Sequence, residues 1–386
     1  MTFFPNLLFA AALALPAQEA SRVLLVRAGT VWTGAGSPLA PGAVLVEDGK
    51  IRAVAGTIEA PEGAQVLEWP TGVLTPGLVD AHGRFGVRGD ALEPTEALTT
   101  DARAIDVFDP RHEEFERALH AGTTAVLLAP GEGNVVAGSA PVVRTGGPEA
   151  ARILVEEAAM KLSIGSAALR GDREPTSRAG ALAMLRARVA EAQAGGRPDA
   201  FSRFARGEMP GLVDAPENDE VLAALRFGEG FGLRLVLVGA ARCAEIEAGL
   251  AGSAVVAGPF DSSTPMRELR GPAALAAKGV LVAFGSSGQS RDPASLRLTA
   301  SLAVRGGLAP ETAMRALTAT AAAIAGVADR AGTLESGKDA DLVVWSGSPL
   351  DLSTRPLAVF VLGERADLAR AGADRTRRPG DPEETR

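Results

Sequence analysis

The chain has 386 residues, 46% of them hydrophobic and 22% charged. That is ordinary globular composition, long enough for one large domain plus a smaller one. A net charge of −8 leaves no basic footprint for nucleic acid, and a single cysteine, Cys243, excludes an intrachain disulfide and any Cys-rich metal site.

The first stretch, MTFFPNLLFAAALALPAQEA, is an apolar run ending in small residues. It falls short of the roughly 20 apolar residues of a comfortable membrane span. It reads as a signal peptide over residues 1–17, cut near Ala17, with an n-region that lacks Lys and Arg. The expected mature protein is soluble and exported, periplasmic or extracellular, with no membrane contact after cleavage.

Residues 22–70 alternate in short strand-like runs. RVLLVRAGTVWTG is followed by GAVLVEDGKIRAVAG, whose Asp48-Gly49 marks a tight hairpin. Near the other end, GTLESGKDADLVVWSGSPLD and LAVFVLG again look like strands. Neither group makes a sheet with its own core, so the two are expected to pair into one small β-domain, residues 22–74 plus 331–366.

Between them, over 75–330, strand-like and helix-like runs alternate. TTAVLLAP follows the helical PRHEEFERALHAG, and LRLVLVGA precedes the helical ARCAEIEAGLAG. SAVVAGPF and VLVAFGSS read as later buried strands, and TAMRALTATAAAIAG as a helix ending at Gly326. About 255 residues of alternating β and α is the size of a (β/α)8 barrel, whose chemistry sits at the C-terminal ends of its strands. Residues 166–180 and 194–218 read as loops over the barrel mouth, and 367–386 as a disordered tail.

Few other motifs carry chemistry. His112, Glu116 and His120 are spaced i, i+4, i+8 on one helix face, a weak metal-binding pattern that fits a solvated outer helix better. GSSGQS is not a nucleophile elbow, and PGEGNVVAG lacks the Lys-Ser/Thr of a phosphate loop. Cys243 reads as a small buried residue.

Several segments together are similar to the amidohydrolase superfamily, in its imidazolonepropionase-like exported branch. VEDGKIRAVAG resembles that family's N-terminal β-sandwich hairpin, and GVLTPGLVDAHGR its first barrel strand. AGTTAVLLAPGEGNVVAGSAPVVRTGG, MKLSIG and PTSRAGALAMLRARVAEA recur in one subgroup. AGTLESGKDADLVVWSGSPLD resembles the returning sandwich strand. The resemblance covers about residues 22–366 and implies an α/β fold: a TIM-like (β/α)8 barrel with a small β-sandwich formed by both chain ends.

The resemblance also implies metal-assisted hydrolysis of C–N bonds, as in cyclic amides, by one or two divalent metals such as zinc. In it, the first strand supplies two histidines one residue apart. A central strand supplies a modified lysine or a glutamate, the fifth and sixth strands one histidine each, and the eighth an aspartate. Here His82 matches the first ligand, and Arg84 stands where the second belongs. A guanidinium has no lone pair to give and repels a cation. The remaining positions fall at Asp214, Gly239 and Ser287, with Lys161 in the bridging-lysine region. A lone lysine before a loop is usually a solvated charge. Three histidines in the chain cannot make a four-histidine site.

Three readings follow. The first is an active mononuclear metal hydrolase using His82 and Asp214. The second, which the ligand count favours, is a catalytically inactive homologue without a cofactor. In that case Arg84 holds a small anionic ligand, or Arg84 and Asp214 pair with each other in the space the metals left. The third is an assembly role, as a homo-oligomer or as the inactive partner of an active paralogue.

Overall fold

The computed structural model describes residues 22–367, apart from 88–90, 196, 247–249, 251 and 287–293. The expected signal peptide and nearly all of the expected tail lie outside the described residues. In chain order the strands are β1 (Val23–Val31), β2 (Gly42–Glu47), β3 (Lys50–Ala55), β4 (Gln65–Pro76), β5 (Leu78–Gly83), β6 (Thr123–Leu128), β7 (Val136–Arg144) and β8 (Ile153–Ser163). There follow β9 (Gly211–Asp214), β10 (Leu235–Val238), β11 (Ala254–Ala257), β12 (Leu281–Phe284), β13 (Leu342–Trp345), β14 (Pro356–Val361) and β15 (Glu364–Arg365).

The two chain ends pair. They form one seven-stranded sheet in the order β15-β14-β13-β4-β1-β2-β3. Its seam is β13 antiparallel to β4, with Leu342 opposite Pro76 and Trp345 opposite Val73. The β2–β3 hairpin turns at Asp48 and Gly49, both with positive φ (48° and 78°). That is the backbone a two-residue turn needs to match strand twist, which is why Asp-Gly marks it.

The second sheet has eight strands in sequence order, β5 through β12. β6 is buried at all six positions, as strands covered on both faces are. The expected strict β/α alternation fails at one place. β7 runs antiparallel to both β6 and β8, and the links on either side of it are too short for a crossover helix, which takes a dozen or more residues. The sheet nearly closes. Past the end of β12, Gly285 lies so near β5 that a Cβ on it would sit 3.0 Å from both Cβ and O of His82.

Val79, Ala81, Ala125, Leu127, Ala159, Leu212, Val236, Val256 and Ala283 fill the barrel interior as one cluster. The helix Ala319–Ile324 adds Ala321, Ala322 and Ile324 to that cluster. Its end lines a cleft with Pro210, Ala254 and Leu281, at the starts of three strands, so it plugs the end of the barrel opposite the mouth. The expected single helix up to Gly326 is two, Pro310–Leu317 and Ala319–Ile324, broken at Thr318 (φ −136°, ψ −94°). There the Thr318 hydroxyl donates to the Met314 carbonyl at 2.7 Å, the local competition with the helix that threonine offers.

Two other expectations are corrected. Residues 194–218 are not a loop; they carry the helix Ala200–Ala205 and β9. Of the expected helix after β10, the described residues form a short 3-10 turn, Ala241–Glu245. Cys243 is buried there as expected, and burial pushes its thiol up to about 11.

A buried ion cluster ties the barrel to the seven-stranded sheet. Arg144, fully buried on β7, donates through Nη2 to Asp339 and through Nε to Asp341 Oδ2 at 3.2 Å. Lys50 and Arg330 also reach Asp339, at 2.5 and 3.0 Å. Breaking such a cluster from one side leaves buried charge without a partner. Arg144→Met is expected to cost about 3–5 kcal/mol in urea unfolding, far more than removing the exposed Arg22 from its pair with Glu364.

Candidate functional site

The C-terminal ends of β5, β8, β9, β10 and β12 meet at the barrel mouth. β8 and β9 are parallel, with Lys161 opposite Leu212 and Ser163 opposite Asp214. Side chains two apart on a strand point the same way, so Lys161, Ser163, Leu212 and Asp214 share the face that Leu212 presents to the barrel interior. Lys161 is fully buried, which corrects the expectation of a solvated charge before a loop. Its stem crosses the lumen to β5, with two strands, β7 and β6, between them in the sheet order.

There the Lys161 ammonium meets two partners. Nζ lies 2.6 Å from Asp214 Oδ1 and 3.0 Å from His82 Nε2. An ammonium only donates, so Nε2 accepts and the ring proton sits on Nδ1. Burial, and then the positive charges of Lys161 and Arg84, hold His82 well below its ordinary 6.5, so the imidazole is neutral. Burial pushes Asp214 up, against the pull of Lys161. Asp214 Oδ2 and Ser163 Oγ are buried and have no hydrogen-bond partner among the described residues.

Arg84 and Asp214 do not pair with each other, which corrects the second expected pairing. Arg84 Nη1 reaches Glu132 Oε1 at 3.5 Å, with its own side chain 19% exposed and that of Glu132 52% exposed. Arg84 still lies close enough to bias the titration of both His82 and Asp214. Gly239 closes β10 with φ 78°, a conformation that favours glycine. A Cβ there would rest in ordinary contact with Pro216 at 3.7 Å. Ser287 lies outside the described residues.

Its neighbour Ser286 matters instead, with Asp80, and the sequence reading named neither. Asp80 is fully buried on β5. It accepts from the amides of His82 at 3.0 Å and Ser286 at 3.1 Å, and from the Ser286 hydroxyl. These bonds hold the end of β12 to β5 where the barrel closes. The available signal was an aspartate inside the apolar run GLVDAHG, since a buried carboxylate demands partners.

The histidines of the outer helix Glu113–His120 are spent locally. His112 caps the helix start, accepting from the Glu114 amide at 3.3 Å, and His120 Nε2 lies 3.0 Å from the Asp367 carbonyl. Among the described residues no three His, Cys, Asp or Glu side chains converge as a metal site.

The comparisons agree with this architecture. A model of the amidohydrolase family matches residues 236–370. The crystal structure of an amidohydrolase from Thermotoga maritima MSB8 is 30% identical, with a TM-score of 0.81 over 89% of this chain and 99% of that one. The chain belongs to the amidohydrolase family. Among curated proteins, the dihydroorotase of Anaeromyxobacter dehalogenans is 34% identical over 110 residues, 28% of this chain and 22% of that protein. The amidohydrolase tasK of Hapsidospora irregularis is 29% identical over 145 residues, 31% of this chain and 15% of that protein. This chain thus matches less than a quarter of either curated relative's length. An adenosine deaminase from Xanthomonas campestris, 20% identical with a TM-score of 0.51 over 91% of this chain and 96% of that one, was solved with bound zinc. No helix among the described residues is long and apolar enough to cross a membrane.

Two outcomes follow from this geometry. Lys161→Met leaves Asp214 buried and unpaired and is expected to cost about 3–5 kcal/mol in urea unfolding, while Lys161→Met with Asp214→Leu recovers most of it. Asp80 is raised by burial from 3.8 to about 6, with its hydrogen bonds opposing. A carboxyl with a higher pKa folded than unfolded stabilises the fold below the unfolded value, and that contribution is lost as pH rises through the folded one. Relative to Asp80→Asn, the natural chain is therefore expected to lose on the order of 3 kcal/mol between about pH 4 and pH 7, read as the difference between their urea midpoints.

Proposed function

We propose that this chain is a metal-independent member of the amidohydrolase family, in which the Lys161 ammonium takes the place of the metal and the barrel mouth binds a small anionic ligand instead of hydrolysing a C–N bond. The observation that carries this reading is Lys161 Nζ at 3.0 Å from His82 Nε2 and 2.6 Å from Asp214 Oδ1. Those are the two side chains that a mononuclear hydrolase would use as ligands.

The donor set does not fit a divalent cation. The ammonium already occupies a lone pair on each candidate ligand. Arg84 brings a second fixed positive charge to the place of the second histidine, and repulsion between close like charges is strong in a low-dielectric barrel. A lysine cation offers hydrogen bonds but no open coordination position. It therefore cannot lower the pKa of a bound water as a metal does. Arg84 is partly exposed with one long ion pair, so it remains free to take a carboxylate or phosphate. The apolar N-terminal stretch ending in small residues supports export, in a periplasmic or extracellular setting.

Metal content tests the reading. Elemental mass spectrometry of the purified protein, after growth with added zinc and manganese, is expected to give well under one metal per chain. A stoichiometric metal that disappears in His82→Ala would overturn the proposal in favour of the mononuclear hydrolase, and a screen of cyclic amides and dipeptides would then be the next step.

A further inference from the structure

The barrel mouth holds two unmet hydrogen-bonding atoms. Asp214 Oδ2 and Ser163 Oγ, both buried, face the same side of neighbouring strands from directly opposite positions. Left dry, each forgoes the hydrogen bonds it makes in water, so the site is built for an occupant. Oδ2 of the carboxylate needs a donor. The Lys161 ammonium at 2.6 Å from Oδ1 disfavours a second cation beside it, so the donor has to be neutral. Ser163 Oγ, once oriented, both donates and accepts. An amide N–H satisfies Oδ2 and leaves the Ser163 donor unused. A hydroxyl donates to Oδ2 and accepts from Ser163, answering both atoms with one oxygen.

The rest of the mouth narrows the class further. Arg84 follows His82 by two residues just past the end of β5, partly exposed, and its contact with Glu132 is 3.5 Å long. It presents the planar fork that holds a carboxylate from two sides. At the end of β10, Val238 lies opposite Asp214 and is followed by Gly239, which adds no side chain to this part of the mouth.

We propose that the mouth binds a short hydroxycarboxylic acid, its carboxylate on Arg84 and its hydroxyl between Asp214 Oδ2 and Ser163 Oγ. This rests on the metal-free reading above. It goes further in naming the ligand by the two atoms that reading leaves unexplained. A water molecule can fill the hydroxyl's place in the free protein, and the ligand's oxygen then replaces it bond for bond.

The test is isothermal titration of the full chain with three matched pairs: glycolate and acetate, lactate and propionate, 3-hydroxybutyrate and butyrate. N-acetylglycine serves as the amide control. Metal content is measured on the same sample. At least one hydroxy acid is expected to bind ten-fold or more tightly than its deoxy partner, and more tightly than N-acetylglycine. Ser163→Ala is expected to bring that ratio near one while leaving the deoxy acid unchanged, and Arg84→Gln to weaken both members of the pair ten-fold or more. Circular dichroism verifies that each variant is folded. Equal binding within every pair, a preference for N-acetylglycine, or a ratio that survives Ser163→Ala would overturn the assignment. With metal absent, those results remove the hydroxy-acid ligand alone; a stoichiometric metal removes the reading beneath it as well.

Discussion

A charged amine buried across the lumen of a barrel sets the terms for everything around it. Lys161 is fully buried, and an ammonium taken out of water survives as a charge only where partners replace its hydration. Asp214 supplies the countercharge and His82 a neutral acceptor, each from a different strand. The interior makes room for the long side chain by being small elsewhere: Ala81, Ala125, Ala159 and Ala283 all face the same cluster. Exchanging those alanines for the larger residues that usually fill such barrels would leave the lysine no path from β8 to β5.

The same three residues make the mouth depend on how the barrel closes. His82 reaches Lys161 only because the end of β5 is held in place, and Asp80 holds it. The Asp80 carboxylate binds the amide of His82 within β5 and the amide and hydroxyl of Ser286 beyond β12. Gly285 permits the approach, since a Cβ there would press on His82. One buried carboxylate thus joins the two edges of the sheet and fixes the backbone of the residue whose ring faces the ammonium. Arg144 does comparable work at larger scale, joining β7 to the sheet built from the chain ends.

Much of the fold was legible because it rests on local signals. Asp48-Gly49 announces a hairpin by backbone conformation alone, and runs such as TTAVLL announce buried strands by composition. The pairing of the chain ends followed from neither group having a core of its own. What escaped the sequence was direction and partnership. Nothing in GSAPVVR says that β7 runs backwards. In EEAAMKLS, the lysine sits at the edge of a polar stretch and looks solvated, because the side of the strand it takes is fixed by Asp214, 53 positions on. Arg84 and Asp214 looked like natural partners by charge; the register of β8 on β9 gave Asp214 to Lys161 instead.

In the metal-free reading proposed above, the position-by-position departure from the metal ligand pattern has a physical logic beyond loss. Deleting a metal from a site of imidazole and carboxylate leaves lone pairs facing each other in a low dielectric, which is costly. A lysine already placed on the neighbouring strand relieves that cost at once, since its ammonium brings both the positive charge and the donors. A metal brings two charges and an open coordination position. The ammonium brings one charge and none, so one carboxylate oxygen is left over, and Asp214 Oδ2 is that oxygen. On that reading the fold tolerates the exchange because its closure depends on Asp80 and Ser286, which lie outside the ligand set. Closure thus rests on Asp80 and Ser286 and the buried charge on Lys161 and Asp214, and the two sets meet at β5, where Asp80 holds the backbone of His82.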